Sequence, residues 1–164
     1  MGFKFSQMIT YVAIMVFYIL GCAVGSLPES NPQDETEEIV EENMEEIMAE
    51  KMTLQIGDSA FTATLESNAA VDALVEMMND APVTIQMRDY SGFEKVGSLG
   101  TSLPADDSQT TTRAGDIVLY NGHQIVIFYG SNTWSYTRLG KIDDLSGWED
   151  ALGSGDVTVT FSLR

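Results

Sequence analysis

A chain of 164 residues with 25 acidic and 8 basic side chains, formal net charge −17, holds one ordinary domain plus appendages, and its apolar content suffices for a true core. So one-sided a balance argues against nucleic acid or an anionic lipid surface as a partner, because a phosphate-rich surface repels it. The single cysteine, Cys22, excludes an internal disulfide and any C-x-x-C metal or redox motif.

At the start, MGFKFSQ offers a free amine and Lys4, and Met8 to Leu20, MITYVAIMVFYIL, carries no charge. This is the layout of an export signal. Ile19-Leu20-Gly21-Cys22 resembles the bacterial lipobox: the small Gly21 admits the backbone to a protease cleft, and the Cys22 thiol accepts a diacylglyceryl group. Acyl chains, at roughly 0.8 kcal/mol per buried methylene, then hold a soluble domain on a bilayer. The alternative is an uncleaved anchor, since the 20 uncharged residues from Met8 to Leu27 match a hydrocarbon core, with Lys4 on the inner side. Either way the remainder lies outside the membrane. The expected organisation is a signal peptide at 1–21, a lipidated Cys22 and acidic tether over 22–51, and a folded domain over 52–164, on the extracytoplasmic face of a bacterial cell membrane.

The tether, SLPESNPQDETEEIVEENMEEIMAE, has two prolines, no aromatic residue and dense acid. Its first half reads as a disordered spacer. Ile39, Val40, Met44, Ile47 and Met48 recur at helical spacing and predict a short acidic helix in the second half. A solvated spacer accounts for this composition, with a partner-binding or cation-attracting arm as the other reading.

From Met52 the apolar period becomes two. Met52, Leu54 and Ile56, a Gly57-Asp58 turn, then Phe61, Ala63 and Leu65 make a hairpin. Ser67 or Asn68 caps a helix through AAVDALVEMMND, whose face of Ala70, Leu74, Met77 and Met78 is core filling. PVTIQMRDY and FEKVGSL pair across Ser91-Gly92, and the polar GTSLPADDSQTTTRAG reads as a connection. DIVLY and QIVIFYG are joined by Asn121-Gly122, a strong hairpin signal. WSYTRLGKI is a strand, Asp143 to Leu152 a short helix, and GDVTVTFSLR a closing strand with strict alternation. Mostly antiparallel strands with two helices predict a mainly β fold, a closed barrel of about eight strands.

FTATLESNAAVDALVEMM, DYSGFEKVGSLGTSLP, AGDIVLYNGHQIVIFYG, SYTRLGKID and LGSGDVTVTF, in this order, resemble the small cyclophilin-like domain proteins of bacteria. The resemblance spans nearly all of Met52 to Phe161 and implies a cyclophilin-like closed antiparallel barrel. Proline isomerases of the cyclophilin family use an arginine presented from a strand, a nearby glutamine and an aromatic-lined pocket; the arginine aids the twisting amide electrostatically against a barrier of roughly 18–20 kcal/mol. Their F-H-R-V-I and F-M-x-Q-G-G-D stretches are absent here, and Gln86, Arg88 and Phe93 lie only near the corresponding strands. The resemblance therefore implies a fold more firmly than an activity. A small-molecule or peptide-binding module is expected, with a weak or atypical peptidyl-prolyl isomerase as the alternative.

Other chemistry is thinly represented. His123 is the lone histidine and reads as a solvent-facing turn residue, so neither a metal site nor a cofactor is expected, an acid-only oxygen site being the alternative. Ser91, Ser102, Ser135 and Thr137 occupy no nucleophile elbow. Glu94-Lys95 reads as a surface charge pair rather than a catalytic dyad. The candidate ligand site is aromatic: Tyr120, Phe128, Tyr129, Trp134 and Tyr136 lie on three successive strands, with Arg138 two residues beyond Tyr136 and hence on its face. Such rings can stack a ligand while Arg138 holds a carboxylate or carbonyl. Tyr90 and Glu94 flank the Gly92 turn and border the same cleft. Alternation alone would equally place about half of these rings in the core.

Overall fold

A computed structural model describes residues 50–164; the expected signal peptide, the lipobox-like stretch ending at Cys22 and the expected tether, as far as residue 49, lie outside the described residues. Strands β1 (Lys51–Ile56) and β2 (Ser59–Leu65) form the first hairpin, followed by helix α1 (Ala69–Asp80), β3 (Val83–Tyr90), β4 (Glu94–Ser98) and β5 (Ser108–Thr111). Then come β6 (Asp116–Tyr120), β7 (Gln124–Phe128), β8 (Thr133–Ile142), α2 (Trp148–Leu152) and β9 (Val157–Leu163). Hydrogen bonding runs in the order β2, β1, β9, β3, β4, β7, β6, β8, and a further β2–β8 pairing closes the ring. Eight antiparallel strands thus make a closed, mainly β barrel with two helices.

The period-2 pattern explains the core. Met52, Leu54, Ile85, Met87, Ile117, Leu119, Ile125, Ile127, Val159 and Phe161 are almost wholly buried in a single cluster, each separated from the next on its strand by a residue of the opposite face. Closure depends on Gly140 of β8, where an added Cβ would fall 2.5 Å from the Thr64 carbonyl oxygen of β2. No larger residue fits so close an approach of two backbones. The hairpins obey their turn chemistry: Ser91 and Gly92, at φ 53° and 73°, and Asn121 and Gly122, at 50° and 71°, are the left-handed central pairs of turns in which Phe93 N–H donates to the Tyr90 carbonyl and His123 N–H to the Tyr120 carbonyl, each at 3.3 Å.

Asn68 caps α1, its Oδ1 accepting from the backbone N–H of Ala70 at 3.0 Å and Val71 at 3.1 Å. Its Nδ2 donates to the Arg138 carbonyl at 2.8 Å, fixing the helix start to β8. Ala70, Val71, Leu74 and Met78 face the core. From α2, Trp148 packs edge-on against Phe61 at 4.9 Å, and its Nε1 donates to the Phe128 carbonyl at 2.9 Å, so the buried indole leaves no donor unpaired.

Three sequence expectations are corrected. The polar connection after β4 contains a strand, β5, which pairs with the outer half of β8 from Ser108 opposite Tyr136 to Thr111 opposite Thr133. The second helix begins at Trp148 rather than Asp143, because Gly147 at φ 75° sets its start. Glu94 and Lys95 are not a surface pair: both are buried, on opposite faces of β4.

Candidate functional site

The outward faces of β3, β4, β7, β6 and β8 should meet water, yet part of this surface is apolar. Val118, Val126, Phe128 and Tyr136 form a second buried cluster outside the barrel, with Phe93, Val96 and Tyr120 packed against it. Register explains the grouping. Arg88 lies opposite Val96, Val96 opposite Val126, and Val126 opposite Val118, a row across four strands on one face. The neighbouring row runs from Tyr90 through Glu94 to Phe128.

Above this floor opens a cleft of about 640 Å³, bordered by Arg88, Asp89 and Tyr90 of β3, Glu94 and Val96 of β4, Tyr120 of β6, Gln124 and Val126 of β7, and Asn132, Trp134 and Tyr136 around the start of β8. Its rings are held edge to face: Tyr120 lies 5.9 Å from Tyr136, Phe128 5.8 Å from Tyr136, and Tyr90 6.2 Å from Phe93. The Tyr136 hydroxyl accepts from Asn132 Nδ2 at 3.0 Å, and burial pushes this phenol up from its ordinary pKa. Tyr90 and Trp134 are 58% and 57% exposed, which leaves their faces open to a visiting molecule.

Glu94 is the exceptional group. It is 6% exposed, and its Oε2 is buried with no hydrogen-bond partner. Its cross-strand neighbours are the rings of Tyr90 and Phe128. Burial without compensation disfavours the carboxylate and raises the pKa to about 7. At neutral pH the group is divided between its acid and carboxylate forms and is able both to donate and to accept.

Lys95 points to the other face of β4 and is fully buried, yet all three of its protons are engaged. Nζ donates to Asp89 Oδ1 at 2.7 Å and to the carbonyls of Gly153 at 2.8 Å and Gly155 at 2.7 Å, tying the loop after α2 to β4. The Lys95 ammonium, then the Tyr129 hydroxyl bonded to the same oxygen, hold the Asp89 carboxyl below its usual range. Burial first, and then this bond to Asp89, push the Tyr129 phenol up to about 12.

Of the residues singled out in the sequence, Tyr90, Glu94, Tyr120, Trp134 and Tyr136 come together in the cleft. Tyr129 and Arg138 do not line it. Tyr129 is one residue out of phase with Phe128, and its ring packs 5.2 Å from Lys95 Nζ. Arg138 shares the face of Tyr136 but reaches Asp116 of β6 at 3.6 Å. Arg88, noted in the sequence only for proline chemistry, stands on the rim; Asp89, Val96, Gln124, Val126 and Asn132 were not foreseen. Val96 and Val126 follow from alternation once β4 and β7 are paired, whereas Asn132 has no sequence signal. Thr137 serves structure: its Oγ1 donates to Asp107 Oδ1 at 2.6 Å and accepts from the Asp106 N–H at 2.8 Å. His123 is exposed at the β6–β7 turn, its Nδ1 2.8 Å from the Asn121 carbonyl oxygen. Among the described residues, no three His, Cys, Asp or Glu side chains are grouped to hold a metal ion, and no helix is long and apolar enough to cross a membrane.

No curated protein matches the chain. The solution structure of the hypothetical protein AF2241 from Archaeoglobus fulgidus is similar, with 12% identity, a TM-score of 0.49, and 71% of this chain and 95% of that one covered. Residues 54–162 match the profile of the cyclophilin-like family. With a match over that span, the chain belongs to the cyclophilin-like family.

Proposed function

We propose that this chain is a membrane-anchored, extracytoplasmic module of the bacterial cell envelope whose cyclophilin-like domain binds a small molecule or peptide in the outer cleft. One observation carries the binding reading: a concave, aromatic-walled surface on the outside of a closed barrel, where the fold needs no second core. Exposed rings at its mouth and an unpartnered carboxyl oxygen at its floor are costly for a monomer that binds nothing and useful to one that does. The anchoring reading is supported by Lys4, the uncharged run from Met8 and the Ile19-Leu20-Gly21-Cys22 pattern, with an uncleaved N-terminal anchor as its alternative.

A weak or atypical peptidyl-prolyl isomerase is the second reading, favoured by one observation: Arg88, an exposed donor, stands on the cleft rim. Arg138 does not line the cleft and pairs with Asp116 at 3.6 Å. Catalysis requires a donor that holds the twisted amide better than the planar one, and an apolar groove alone holds both alike.

The test titrates the full-length protein with proline-containing peptides and small aromatic compounds while following both binding and cis/trans exchange. Binding that weakens in Trp134→Ala without faster exchange is the expected result. Accelerated exchange that disappears in Arg88→Ala would replace it with the isomerase, and absence of binding throughout would overturn the module. For the anchor, wild type should take an acyl label and Cys22→Ser should leave the membrane fraction; a variant that stays there beside an unlabelled wild type establishes the uncleaved anchor instead.

A further inference from the structure

The cleft floor has an acceptor without a donor. Glu94 is more than nine-tenths buried, its Oε2 has no hydrogen-bond partner, and among the described residues no ion pair reaches it. The nearest lysine in sequence, Lys95, is committed on the opposite face of β4 to Asp89 and two carbonyls. Tyr90, its cross-strand neighbour, lines the same cleft with Tyr120, Tyr136 and the exposed Trp134. Aromatic faces carry negative potential and attract cations, and a carboxylate completes the same preference with a directional acceptor. The chain's large negative charge raises the local concentration of cations at any such opening.

We propose that the cleft selects ligands bearing a protonated amine, whose N–H donates to the Glu94 carboxyl while the organic body of the ligand lies against the tyrosine and tryptophan rings. This rests on the reading of the cleft as a binding site and assigns the class of molecule it takes. An amine cation supplies both of the things Glu94 lacks, a hydrogen-bond donor and a counter-charge; a neutral donor supplies only the first and leaves the buried charge uncompensated. Arg88 is the cleft's own cation, but it is exposed at the rim, opposite Val96 rather than Glu94, where solvent screens it.

Proton linkage makes the idea measurable. A cation binds the carboxylate form, so the complex must release the proton that Glu94 shares with solvent near neutral pH. The charged and titratable groups facing the cleft alongside Glu94 are Arg88, Asp89 and Tyr90 from β3, Tyr120 from β6 and Tyr136 from β8; β4 adds only Val96, and β7 only Gln124 and Val126. Asp89 is shifted down and Tyr136 up, both away from neutrality. His123 is on the β6–β7 turn and does not line the cleft.

The experiment compares benzylamine with benzyl alcohol, a neutral molecule of like size, by calorimetry on the full-length protein at about pH 5.5 and about pH 8. Benzylamine is expected to bind roughly tenfold or more tightly than benzyl alcohol at the higher pH, to weaken about tenfold at the lower, and to give heats that vary with the buffer as a proton is released. In Glu94→Gln the amine's advantage and its pH dependence should both vanish, while cooperative urea unfolding of the variant shows that it is folded. Equal affinities for the two compounds, or binding that tightens as pH falls, would overturn the amine class and leave the cleft as a binding site. If neither compound binds, the amine class also falls, and the peptide titrations above then decide whether the binding reading falls with it.

Discussion

The two faces of β4 present the same problem, a buried ionisable side chain, and resolve it in opposite ways. Lys95 points toward the barrel core and meets three acceptors, with an aromatic ring beside them, so its charge is compensated within the chain. Glu94, the preceding residue, points into the outer cleft and meets none at Oε2. A buried charge with a full set of partners fixes structure; one without them contributes no such tie and is costly to keep ionised. The contrast separates the part of this protein built to hold its shape from the part we propose as the ligand site.

Breaking the satisfied side should cost most. Lys95→Met strands Asp89 and two backbone carbonyls at once, and about 3 kcal/mol of stability should be lost in urea unfolding of the full-length chain. Gly140→Ala forces a methyl group against the Thr64 carbonyl where β2 and β8 close the barrel, at a cost of about 2 kcal/mol by the same measurement.

Relieving the unsatisfied side should have the opposite sign. Because the folded pKa of Glu94 is raised to about 7 from an ordinary 4.5, its favourable contribution is fully present below the ordinary value and is lost as pH rises through about 7. Glu94→Gln should therefore stabilise the protein above neutrality by about 1–2 kcal/mol, after allowance for water in the open cleft, and should flatten stability between those two pH values. Asp89 behaves in reverse: its pKa is depressed, so its contribution is present above the ordinary 3.8 and is lost as pH falls through the lower folded value. An Asp89→Asn variant should flatten the acid limb of the stability profile and leave the Glu94 window unchanged. Least of all, Trp134→Ala should move stability by no more than about 0.5 kcal/mol, its side chain being mostly exposed, while weakening binding of any ligand that stacks in the cleft.

Much of the barrel was legible because alternation and turn chemistry are local. Asn121-Gly122 and Ser91-Gly92 announced their hairpins, and the runs from Met52 and from Val157 declared which residues face inward. What stayed hidden was set by pairing between distant segments. Ser108 to Thr111, mostly exposed and without apolar alternation, becomes a strand only because β8 extends beyond the barrel to meet it. Charge alone made Glu94 and Lys95 look like surface residues, for burial of both depends on β3 and β7 flanking β4. The aromatic site was visible in outline, and its errors have single causes: Tyr129 is out of phase by one residue, and Arg138 finds Asp116, a partner 22 positions earlier in the chain.

The place of β9 in the ring has a consequence for how the protein comes to be folded. It lies between β1 and β3, pairing Leu54 with Phe161 on one side and Ile85 with Val159 on the other. A nascent chain therefore holds β1 and β3 with unpaired edges until residues 157–163 have been made, and no earlier stretch can complete the barrel in their stead. For every other strand synthesised, these two edges remain open to pairing with the wrong partner. Closure of the barrel is thus a late event of synthesis, completed only when β9 is free to insert between its two neighbours.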